Sequence, residues 1–318
     1  VIAYVCLDGF DLGVGILFPF AHNESQRDEM MNSVAPVWDG NETWLVLGGG
    51  GLFAVFPLAY SIILPAAYAP IFIMLLALAF RGVSVEFRGR SENRKYLWDW
   101  AFTGGSVVAT FAQGLALGTL VQGIHVTGRA YSGGWWDWLS PFSLLTGCAL
   151  LIGYSLLGST WLILKTEGTL QQTAYRLARI SGALLLVMIA IVSLWTPFLH
   201  EHFMAKWFAW PAMLYVVPVP ALVILCAAIL YRGLKNQHEL SPFLAAQGLF
   251  LLSYIGLVIS FYPYIVPSSV TLWAAAAPDN SLKFLLVGAV FLIPIILTYT
   301  TYSYWVFRGK VGHASAYE

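Results

Sequence analysis

Asp8 and Asp11 stand three residues apart inside an apolar stretch, Asp8-Gly9-Phe10-Asp11-Leu12-Gly13-Val14-Gly15. That spacing puts both carboxylates on one face of a helix. Two neighbouring carboxylates do not readily ionise together in a low-dielectric medium, which suits a proton relay or a cation site. The structural alternative is a pair satisfied by backbone donors or an adjacent helix. Acids within membrane spans cost about 2.5–3.5 kcal/mol each on insertion scales and usually serve a function, so function is favoured.

A second group follows in Trp38-Asp39-Gly40-Asn41-Glu42-Thr43-Trp44. Asp39 and Glu42 have the spacing of a capping box at a helix start. Two acids, an Asn and two Trp in seven residues are more than a cap requires. Asp39, Glu42 and Trp44 are therefore candidate site residues with Asp8 and Asp11. Gly48-Gly49-Gly50-Gly51 comes next, a run expected to mark close approach by another helix or by a flat ligand. It does not resemble a phosphate loop, since no Gly-Lys-Ser/Thr follows.

Metal and haem ligands are not apparent. His22, His125, His200, His202, His238 and His313 fall in loops or at span ends. Met74 and Met188 lie within spans among aliphatic residues, a setting that reads as packing. Cys6, Cys148 and Cys226 form no metal-ligand or disulfide pattern. The chain alone is expected to hold no haem and no metal. A quinone ring between its helices is compatible with the glycine run and the aromatics.

The elements that must position these groups are membrane helices. Of 318 residues 59% are hydrophobic and 10% charged, and the mean hydropathy is +0.74. That excludes an ordinary water-soluble enzyme and a disordered chain. The net charge of zero offers no basic face for nucleic acid. Apolar runs predict nine spans, near 1–20, 42–60, 64–81, 99–122, 141–164, 177–198, 209–231, 243–265 and 284–307. Pro57 and Pro65 mark the turn between the second and third. Pro263 and Pro267 should break the chain after the eighth, with Ser268 and Ser269 capping the segment that follows. Residues 1–318 read as one integral membrane domain, with the start of the first span expected to lie upstream of Val1.

With the N-terminus outside, thirteen basic residues lie in inner loops, Arg81, Arg88, Arg90, Arg94 and Lys95 among them. Only Arg129, Lys206 and Lys283 lie outside. The positive-inside rule then predicts a cytoplasmic C-terminus. Trp98-Asp99-Trp100 and Trp135-Trp136-Asp137-Trp138 read as interfacial anchors.

Taken in order, these segments resemble subunit II of the cytochrome bd-type quinol oxidases, including the cyanide-insensitive members. The resemblance is carried by Asp8 to Gly15, Asn32-Ser33-Val34-Ala35-Pro36-Val37-Trp38-Asp39-Gly40-Asn41-Glu42-Thr43-Trp44-Leu45 and Phe80-Arg81-Gly82-Val83-Ser84-Val85-Glu86-Phe87-Arg88. Trp98-Asp99-Trp100 and Tyr262-Pro263-Tyr264-Ile265-Val266-Pro267-Ser268-Ser269 add to it. It implies an all-α fold of two four-helix bundles and a peripheral helix. It also implies a partner, subunit I, holding haem b, haem d and the quinol site; a small accessory subunit is compatible with it. The implied reaction is quinol oxidation with reduction of dioxygen to water in a bacterial inner membrane. Asp8, Asp11 and Asp39 are implied on a proton route from the cytoplasm, with Glu42 and Trp44 as neighbours. The alternatives are a cation-coupled secondary transporter, which would favour inverted repeats that are not evident here, and a purely structural partner.

Overall fold

The computed structural model describes residues 1–91, 93–211 and 213–311; His313 lies outside them. The described residues are mostly helical: α1 (Ile2–Leu17), α2 (Glu24–Val34), α3 (Trp38–Val55), α4 (Pro57–Ala66), α5 (Tyr68–Arg88) and α6 (Lys95–Gln122) come first. A short hairpin, β1 (Val126–Thr127) and β2 (Ala130–Tyr131), leads to α7 (Pro141–Lys165) and α8 (Gly168–Trp195). Then come α9 (Glu201–Phe208), α10 (Met213–Val216), α11 (Pro218–Lys235) and α12 (Leu240–Phe261). A second hairpin, β3 (Tyr264–Val266) and β4 (Val270–Thr271), precedes α13 (Leu272–Ala275) and α14 (Asp279–Val306).

Among the described residues eight helical segments are long and apolar enough to cross a membrane. They are α1 with its extension to Phe20, α5, α6, α7, α8, α10 with α11, α12 and α14. The expected second span differs. It is two helices, α3 and α4, parted at Phe56 because Pro57 supplies no N–H to continue α3. Pro65 lies inside α4 instead of marking the turn, which falls at Ala67. The segment after the eighth span breaks as expected. Its cap, however, is Thr271, whose hydroxyl accepts from Ala274 N, and not Ser268 or Ser269.

The first four passes (α1, α3 with α4, α5, α6) pack together, and α7, α8, α11 and α12 form the second bundle. The bundles meet where α7 lies against α1 and α6. There the backbones touch. A Cβ on Gly13 would stand 1.9 Å from the Tyr154 carbonyl oxygen, and one on Gly158 would stand 2.3 Å from the Gly13 carbonyl carbon. Gly114 meets Gly147 similarly between α6 and α7, at 2.6 Å. Among the described residues, nothing lies within 4 Å of a Cβ at Gly49, Gly50 or Gly51, so no helix of this chain makes the close approach expected there.

At one end, ion pairs clasp α2 to α5 and α6. Arg88 pairs with Asp28 and, at 2.6 Å, with Asp99; Arg27 also reaches Asp99, at 3.2 Å, and Lys95 reaches Glu24 at 2.7 Å. Asp99 is thus an ion-pair partner between its two tryptophans. Helix α14 is peripheral, with its membrane-length stretch exposed. Its far end is strapped to the body. Lys165 Nζ donates to the carbonyls of Phe307 and Gly309, Val311 N donates to Lys165 O at 2.8 Å, and Lys310 bonds Thr166 O at 3.0 Å and Glu239 at 2.7 Å. The hydrogen bond from Lys310 holds the Glu239 carboxyl below its usual range.

Gly13→Ala should force α1 from α7, costing about 1–3 kcal/mol or more as overpacking does. Gly50→Ala should leave the fold of the chain intact. Thermal unfolding in detergent checks both, and equal midpoints for the two variants would show that the α1–α7 approach is not a constraint.

Candidate functional site: two buried acids and one arginine

Helix α1 is enclosed from Asp8 to Gly15, and neither Asp8 nor Asp11 has any exposed surface. Arg81 enters from α5 and is also fully buried. Its Nη1 donates to Asp8 Oδ1 at 2.7 Å. The Trp38 ring covers the guanidinium at 5.7 Å and packs on Gly82 beside it. Tyr4, one turn before Asp8, borders the same pocket.

Asp11 is held differently. Asn41 Nδ2 donates to Asp11 Oδ2 at 2.7 Å and to Leu7 O at 3.2 Å. Asn41 Oδ1 accepts from the Tyr304 hydroxyl at 2.8 Å. Asp11 Oδ1 and Asp8 Oδ2 have no hydrogen-bond partner among the described residues; nor do the Tyr4 hydroxyl, Arg81 Nε and Nη2, or Ser106 Oγ and Thr110 Oγ1 of α6. One fixed cation faces two carboxylates here. A proton on the free oxygen of Asp11 would leave the enclosed set neutral, and such a proton can be exchanged without breaking the Asp8–Arg81 pair.

The remaining sequence candidates lie on α3. Asp39 is exposed in its first turn. It is not the cap, because the N-cap residue is Val37 and no side chain caps the helix. Asn41 N bonds Val37 O at 3.0 Å, so the helix starts before Asp39. Glu42 is half-buried one turn inward, within electrostatic reach of Arg81 and Asp8. Trp44 is half-buried, with its indole N–H enclosed and unpaired among the described residues. The fold therefore gathers Asp8, Asp11 and Glu42 around Arg81 and leaves Asp39 at the surface.

Three residues of the site were not singled out by sequence reasoning. Arg81 was expected in an inner loop, yet it lies in α5 with its charge neutralised inside. Its signal was its place directly after the apolar run of the third span. Asn41 stood within the quoted motif without a role. Tyr304 had no signal, being one of several tyrosines in α14.

Two cavities adjoin the helices. One of about 290 Å³ lies between the α2–α3 turn, the end of α7 and the strap, lined by Ser33, Val37, Trp161, Lys165, Tyr304 and Lys310 among others. The other, about 500 Å³, is lined by Pro57, Ser61, Arg129 and Pro278 among others. Neither has a histidine or methionine in its lining. His200 and His202 have their Nε2 atoms enclosed beside Phe203 and Tyr264. Among the described residues no group of three His, Cys, Asp or Glu could hold a metal ion.

The family model for cytochrome bd terminal oxidase subunit II matches residues 1–307. The chain belongs to that family. It is 31% identical to the cytochrome bd ubiquinol oxidase subunit 2 of Bacillus subtilis over 330 residues, covering 98% of this chain and 94% of that protein. It is 29% identical to the cytochrome bd-I ubiquinol oxidase subunit 2 of Escherichia coli over 349 residues, covering 98% and 92%. Its fold matches the structure of bd oxidase from Geobacillus thermodenitrificans with a TM-score of 0.75 at 18% identity, covering 96% of this chain and 94% of that one. This bd-oxidase subunit II is thus a multi-span membrane component of a respiratory quinol oxidase, an oxidoreductase complex with haems and a partner subunit. The transporter alternative falls with that membership.

Removing Arg81 should strand the Asp8 carboxylate. Arg81→Met is expected to destabilise the subunit by about 3–5 kcal/mol, the usual cost of breaking a buried pair. Adding Asp8→Leu should recover much of the loss. A double-mutant cycle on thermal unfolding measures this, and additive effects would exclude the coupling.

Proposed function

We propose that this subunit II carries protons from the cytoplasm into the oxidase through Asp39, Glu42 and the Asp11–Asp8 pair. Reduction of one dioxygen to two waters takes four electrons and four protons. Two quinols supply the electrons, and their own four protons leave on the opposite side. Charge then separates without a pump, provided the protons for water arrive from the cytoplasm. Haem b, haem d and the quinol site belong in this reading to subunit I, with room for a small accessory subunit. The complex sits in the bacterial inner membrane with the subunit's N-terminus outside and C-terminus in the cytoplasm.

The observation that carries the reading is one arginine set against two enclosed carboxylates, each with one oxygen unpaired, of which only Asp8 is bonded to the arginine. Asp39 collects protons at the surface, and Glu42 lies one turn further, roughly 4.5 Å along α3. Asp11 and Asp8 follow at a similar spacing on α1. Trp38 covers the Arg81 guanidinium beside these acids.

Asp39→Asn keeps size and removes acidity. It should slow proton uptake and oxygen consumption in an assembled complex; normal turnover with normal uptake would defeat the role of Asp39. Topology is checked separately. With native cysteines replaced, Ser91→Cys should resist a membrane-impermeant thiol reagent in intact cells and react in inverted vesicles. Ready labelling in intact cells would reverse the orientation and the direction of the route.

A further inference from the structure

We propose that Tyr304, on the peripheral helix, is a positioning residue for Asp11: through Asn41 it fixes which carboxyl oxygen carries the transferred proton. The proposal rests on the proton route above. Asn41 has two amide hydrogens and one carbonyl oxygen to place. Its nitrogen faces two acceptors, Asp11 Oδ2 and the Leu7 carbonyl. Its oxygen must therefore face Tyr304, and the phenol must donate. With the amide pinned in this sense, Asp11 Oδ2 is committed as an acceptor. Oδ1 remains as the seat of the proton. Without the phenol O–H, the 3.2 Å bond to the Leu7 carbonyl is what still orients the amide, so Asn41 faces Asp11 less firmly and the other carboxyl oxygen gains a share of the proton.

The surroundings are built to hold the phenol. Its ring stands edge-on to Trp161 at 6.3 Å and to Phe10 at 6.4 Å. The membrane-length stretch of α14 is otherwise exposed. Just beyond Tyr304, the Lys165 and Lys310 bonds tie residues 307–311 to the ends of α7 and α12. The strap thus sets the height of Tyr304 against Asn41. The same tyrosine lines the 290 Å³ cavity with both lysines.

The test uses the assembled oxidase. Asp11→Asn first identifies the Asp11 carboxyl C=O stretch in infrared difference spectra by its loss. Tyr304→Phe should shift that band and slow proton uptake roughly fivefold, the worth of one neutral hydrogen bond. A merely structural tyrosine would leave the band in place. An unshifted band with unchanged uptake overturns the proposal, as does the lack of any band lost in Asp11→Asn. If Tyr304→Phe does not assemble, 3-fluorotyrosine placed at position 304 keeps the shape and changes the hydrogen bond. An unshifted band there is equally decisive. Full proton uptake in Asp11→Asn would sink the underlying route, whereas slow uptake in Asp11→Asn with wild-type behaviour in Tyr304→Phe sinks only the role of Tyr304.

Discussion

The interior of this subunit is organised by a charge that cannot be left alone. Arg81 has no exposed surface, and only a buried carboxylate at 2.7 Å makes its position tolerable. That demand fixes α5 against α1 and places Trp38 over the guanidinium. The second carboxylate on the same face has no cation of its own. Its hydrogen-bond partner is the neutral amide of Asn41. The difference between Asp8 and Asp11 comes from neighbours on two other helices, not from their own sequence.

Close packing makes that arrangement possible. Gly13 and Gly158 let α1 and α7 meet backbone to backbone, with Tyr154 carbonyl and Gly13 atoms where a side chain would otherwise stand. Helix α1 is thereby enclosed over the turns that bear both acids. The arginine is then shielded from water, and its pairing with Asp8 becomes obligatory.

The periphery serves the core through hydrogen bonds at one end. Helix α14 buries little along its length, yet Tyr304 reaches Asn41 and the strap behind it is bonded to Lys165 and Thr166. An element that looks dispensable by burial therefore touches the acid pair through a single intervening amide. The same logic separates Asp39 from the others: it lies on the exposed side of α3, while Asn41, two residues on, points inward.

Much of this was legible in the sequence. Apolar runs long enough to span a bilayer located the membrane helices, since length and hydropathy are local properties. The motifs around Asp8 and Asp39 pointed to the family. The paired acids stood out because charge in an apolar run is costly wherever it falls. What the sequence could not decide is which residues answer that cost. Arg81 sits 73 positions from Asp8 and Tyr304 sits 263 from Asn41, so no local pattern links them. Hydropathy placed Arg81 at a membrane edge because it counts a charge without its partner; only the tertiary structure brings the carboxylate that lets an arginine stay inside.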